Sequence, residues 1–129
     1  PTSPPPYLTL FPYPTLFRST SRPLISADCF GALLEKPFES AAEISARSLH
    51  EGSTIWSSID APWLNVIDTE KFDKTLLAIE KLGVDMVLSS HLPPAEDMTK
   101  TLLNILADAY KAPTFVGPDQ QALEKMMAA

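Results

Sequence analysis

Apolar positions along the chain fall into two patterns, short continuous runs closed by polar breaks and longer stretches in which they recur every three or four residues. Leu24-Ile25-Ser26-Ala27 is a run of the first kind, and with Gly31 following as a turn residue it predicts a buried strand ending near Asp28. Residues 84–89 form a second buried run, which stops at Ser89-Ser90-His91. Between the two, residues 36–50 read as a helix. Pro37 suits its opening turn, Ser40 and Glu43 have capping-box spacing, Ile44 and Leu49 are candidate core residues, and Gly52 is the expected stop. Residues 53–67 are apolar without a clean period, and a short helix is expected around residues 62–66.

The next stretch is more regular. Asp68 or Thr69 caps a helix whose Phe72, Leu76, Ile79 and Leu82 share one face and which Gly83 closes. After His91, Pro93-Pro94 is expected to break any strand ladder, and residues 96–109 carry Met98, Leu102, Ile105 and Leu106 at helical spacing. Residues 113–118 are a connector, followed by a terminal helix from Asp119 or Gln120 to about Met127. Strand, helices, strand, helices is the order of an α/β fold, with helix 69–82 returning the chain to a neighbouring strand as a crossover.

This layout gives two polar breaks a shared meaning. Ligands of open α/β sheets gather beyond the carboxyl ends of strands, and Asp28 and His91 each stand at such an end. A carboxylate is a hard oxygen donor and an imidazole a borderline nitrogen donor, a pair suited to zinc, iron or manganese. Sixty-three residues separate them, so only a common sheet edge can bring them together. Without such a site, Asp28 would cap the turn at Gly31 and His91 would be a hydrogen-bonded residue ahead of two prolines.

Composition narrows the classes. With 129 residues, 45% hydrophobic and 20% charged, the chain has room for one domain. A net charge of −6 without clustered Lys and Arg argues against nucleic-acid binding. No apolar stretch reaches the length of a membrane helix. One cysteine, Cys29, excludes an intrachain disulfide framework and fits the cytoplasm as the default compartment. Adjacent strand residues face opposite ways, so Cys29 is expected as a buried structural thiol away from the face of Asp28. His50 is expected near a helix C-terminus, and Trp56 and Trp63 either wall a pocket or fill a core.

Residues 1–23 stand apart, holding seven of the thirteen prolines, two arginines and no acid. They are expected to be extended or disordered. The string from Thr9 to Ser19 resembles the conceptual translation of a common sequencing adapter, TLFPYTTLFRS, in ten of eleven positions. The segment is therefore read as an artefact, with residues 24–129 as the C-terminal part of a larger domain.

Asp28-Cys29-Phe30-Gly31 resembles the D-x-F-G segment of metallo-β-lactamase-fold proteins, especially their flavodiiron-like branch. Ser89-Ser90-His91 resembles the segment carrying that fold's last metal-binding His. The stretches around Pro93-Pro94-Ala95 and from Phe115 to Asp119 are similar to the end of a bacterial MBL-fold hydrolase subgroup. The resemblance implies the C-terminal half of an αββα sandwich, a small sheet with flanking helices. It makes Asp28 the carboxylate bridging two zinc or iron ions and His91 a terminal ligand of one. It implies a parent acting on a small-molecule substrate, either as a metal-dependent hydrolase or as a flavodiiron-like oxidoreductase. The family's H-x-[HE]-x-D-H motif does not precede Asp28, so the metal site of this chain is expected to be incomplete and the chain inactive alone.

Two other classes fit parts of the same pattern. A C-terminal piece of an α/β-hydrolase would also keep an acid and then a His at strand ends, although no G-x-S-x-G occurs here. A non-enzymatic interaction module would use the proline-rich head as a ligand. Homo-oligomerisation is left open by all three.

Overall fold

The computed structural model describes residues 22–128. Of the proline-rich head over residues 1–23, residues 1–21 with the adapter-like string lie outside the described residues, whereas Pro23 opens a strand. The described residues form a mixed α/β structure with a three-stranded sheet in the order β1, β2, β3 and four α-helices. Strand β1 is Pro23–Ala27, β2 is Met86–Ser89 and β3 is Leu92–Glu96. Strands β1 and β2 are parallel, pairing Leu24 with Val87 and Ile25 with Leu88, whereas β3 runs antiparallel to β2.

The first helix differs from its expected span. Ser40 caps only a 3-10 turn, Ala41–Glu43, and helix α1 begins afterwards at Ala46–Asp60 with the Ser45 side chain accepting from Ser48 N. Gly52 does not stop α1 but lies inside it. A Cβ there would collide with the Leu33 carbonyl, and Leu33 N donates to Gly52 O at 3.1 Å. Glycine is needed for this close backbone approach, which costs less than the clash a side chain would make. Ala61 and Pro62 end the helix, and a 3-10 turn follows at Pro62–Val66, where a short helix is expected. His50 consequently sits near the start of α1, not at a C-terminal dipole.

Helix α2 spans Thr69–Lys81. Asp68 accepts from Lys71 N at its start, and Gly83 follows its end in the left-handed region at φ 63°. Leu76 is buried and Phe72 and Ile79 are half-buried, but Leu82 is exposed because the helix has ended before it. The Pro93-Pro94 pair does not prevent a strand: both prolines lie in β3, which has only one strand neighbour among the described residues. The β2–β3 register slips between Val87 and Ser89, opposite the prolines, where missing N–H donors cost least. Helix α3 therefore starts later than expected, at Thr99–Ala109, with Thr99 Oγ1 donating to Val84 O at 2.9 Å. Helix α4, Gln120–Met127, is capped by Asp119 and buries no residue.

The core lies on one side of the sheet. Val87, Leu92 and Ala95 from the strands join Leu49 of α1, Leu76 of α2 and Leu102 of α3. Ile25, Met86 and Leu88 are outside this cluster, and Ile25 is 79% exposed. β1 is thus a strand but not the buried strand its apolar run predicts, since its alternate residues meet no second layer among the described residues.

Candidate functional site

Parallel pairing of β1 and β2 puts their carboxyl ends side by side, and the chain beyond each end carries one of the two expected ligands. Asp28 stands in the turn after β1, and His91 in the hairpin joining β2 to β3. His91 Nε2 lies 3.2 Å from Asp28 Oδ1, with both side chains substantially open to solvent at 44% and 59%. Sequence separation had left only a shared sheet edge to join them, and the structure does join them there. A contact so exposed contributes at most about 1 kcal/mol, so other contacts must hold the geometry.

Those contacts are mostly backbone. Ser90 N donates to Ala27 O at 2.8 Å, Ala32 N donates to His91 O at 3.0 Å, and Ser89 Oγ donates to Ala27 O at 3.0 Å. Ser89 Oγ also accepts from His91 N at 3.2 Å. Inside the first turn, Ser26 Oγ donates to Cys29 O at 2.9 Å. Ala27 at φ 50° and Phe30 at φ 62° hold left-handed conformations uncommon for residues with a Cβ. Tertiary hydrogen bonds thus fix a locally unfavourable turn whose product is the position of Asp28.

Trp56 of α1 closes the arrangement. Its Nε1 donates to Asp28 O at 2.9 Å, and its ring lies 4.2 Å from that of His91, tilted by 33°. One side chain therefore braces both candidate ligands. Gly31 makes room for it, since a Cβ there would fall within the indole, with Cε2 only 2.6 Å away. The role of Gly31 is this clearance rather than an unusual φ. Sequence reading missed the brace, because no local pattern shows that Trp56 and Gly31 meet.

The turn also corrects the reading of Cys29. Residues 28–30 are not extended, so Asp28 and Cys29 line the same cleft instead of opposite faces. Cys29 is exposed, not a buried structural thiol. The surrounding protein still removes part of the water from its sulfur and raises its pKa. The Phe30 backbone hydrogen bond opposes that rise, and the Asp60 charge adds to it. The thiol is therefore held in its neutral form, unlike a nucleophilic cysteine.

The donor pair matches one edge of a coordination polyhedron. Bonds of about 2.0–2.2 Å at angles of roughly 90° to 110° separate two ligand atoms by about 3 Å, close to the observed spacing. Among the described residues no group of three or more His, Cys, Asp and Glu side chains converges to hold a metal. Asp28 and His91 are thus a pair of neighbouring donors and not a complete set among the described residues. Among the described residues no helix is long and apolar enough to cross a membrane. Comparison of the chain with protein-family models, curated proteins and solved structures finds no match.

Proposed function

We propose that the body of this chain is the second half of a metallo-β-lactamase-like αββα fold, with Asp28 and His91 as two ligands of a zinc or iron centre. The observation that carries this reading is their meeting at 3.2 Å beyond two adjacent parallel strands. The open sheet face with Ile25, Met86 and Leu88 supports it, because an αββα sandwich buries that face against a second sheet. The parent is a metal-dependent hydrolase or a flavodiiron-like oxidoreductase, acting on a small molecule in the cytoplasm.

Bound metal supplies Lewis-acid polarisation and a water acidic enough to ionise near neutral pH, or, with iron, redox chemistry. The residues of this chain provide two donors and orient them. Asp28 has two oxygens and can face two ions from one side chain, while Trp56 and the backbone frame restrict both ligands before metal arrives. Two protein ligands bind a transition metal weakly, so the chain by itself is expected to have little or no activity.

Titration of the purified chain with Zn2+ and with Fe2+ tests this. The expected result is one weak site whose affinity falls in both Asp28→Ala and His91→Ala. Equal affinity in the wild type and both variants would remove these residues as ligands. Two tightly bound ions with hydrolytic turnover would contradict the half-site. A second reading draws on the same contact, because an acid and a His 3.2 Å apart at adjacent strand ends are also two members of an α/β-hydrolase triad. That reading expects no metal affinity at all, so the titration separates the two.

A further inference from the structure

We propose that the cleft between the Asp28 turn and the C-terminal end of α1 binds a small organic cation. The cleft encloses about 170 Å³, and its walls include Trp56, Trp63 and Phe72 with Asp28, Cys29 and Asp60. Sites for drug-sized ligands occupy roughly 300 Å³ or more, so the volume suits a compact ion such as a choline-sized ammonium. The inference goes beyond the metal centre, with which the cleft shares Asp28.

Charge and aromatic lining choose a cation. The only charged residues lining the cleft are Asp28 and Asp60, and among the described residues no Lys or Arg faces it. Asp60 is the last residue of α1, which carries no basic residue in its last turn. Its carboxylate therefore sits at the negative end of the helix dipole, where an anion is disfavoured and a neutralising cation is attracted. Asp60 forms no ion pair among the described residues that would cancel this charge. Finally, three aromatic side chains line the cleft, the residue type that stabilises quaternary ammonium groups. Trp63 remains 59% exposed, and a ligand in the cleft would cover part of that apolar surface.

A separate small cavity lies beside the cleft. Ser53 is 5% exposed, and its Oγ has no hydrogen-bond partner among the described residues. It lines a small cavity of about 10 Å³ that shares Phe30, Ser57 and Leu106 with the cleft. A buried hydroxyl without a partner is costly, and this space is about one water in size. A water there would satisfy Ser53.

Choline is the probe, and 3,3-dimethyl-1-butanol is its neutral isostere. Both are titrated into the full chain in the presence of a chelator, with tryptophan fluorescence and calorimetry as readouts, so the result does not depend on metal at Asp28 and His91. Choline is expected to bind saturably and the alcohol about threefold to thirtyfold more weakly, the range of one cation–π and charge contribution. Asp60→Asn and Trp63→Ala should each weaken choline by a similar factor, and Trp63→Phe should recover part of it. Both sites are exposed, and circular dichroism confirms that each variant is folded. Equal binding of choline and the alcohol, unchanged affinity in both folded variants, or no saturable choline binding would each overturn the proposal.

Discussion

Gly31 shows how much one missing side chain can organise. It is buried and lies against the Trp56 indole, which hydrogen-bonds Asp28 O and stacks near His91. Gly31→Ala forces either the indole or the strand-end turn to move. Overpacking of this kind costs about 1–3 kcal/mol. The expected outcome is a lower urea midpoint together with an altered tryptophan emission, and an unchanged midpoint would show that the indole yields freely. The polar residues of the site were legible as types at strand ends. Trp56 was legible only as an aromatic residue with two uses, because its partners Asp28 and His91 are 28 and 35 residues away in sequence.

At the scale of elements, caps and periodicity located α2 and α4 well, since Asp68 and Asp119 accept from N–H groups three residues on. The same rules misplaced α1. Gly52 resembles a helix stop, yet α1 passes through it because the Leu33 backbone lies against it. Two effects oppose each other in Gly52→Ala: helix propensity gains about 1 kcal/mol, and a clash with fixed backbone costs about 1–3 kcal/mol. Leu33 cannot easily retreat, being tied to Gly52 O at 3.1 Å, so net destabilisation is expected. Chemical denaturation should show a lower midpoint with the same slope, and a stabilised variant would contradict the tight contact. β3 teaches the converse point, because its two prolines argue against a strand in isolation but are tolerated at an edge with a register slip.

Across the whole molecule, helices cover one face of a three-stranded sheet and leave Ile25, Met86 and Leu88 outside the core. An apolar face beside an open strand edge promotes association. Sedimentation velocity over a concentration series is therefore expected to show self-association that Ile25→Lys reduces. Ile25 is 79% exposed, so the same substitution should change unfolding free energy by no more than about 0.5 kcal/mol. Association unaffected by Ile25→Lys would mean that this face is not the contact.

Local chemistry determined helices α2 and α4, the positions of β1 and β2, the α/β class and the placement of Asp28 and His91 at strand ends. Such features depend on hydrogen bonds and side-chain spacing within a few residues, which are written along the chain. Tertiary structure alone decided that β1 and β2 pair in parallel, that α1 runs through Gly52, that a proline-rich β3 completes the sheet and that Trp56 braces both ligands. Each of these depends on which distant surfaces exclude water together and which backbone groups find partners there. Those choices are made by the packed molecule as a whole.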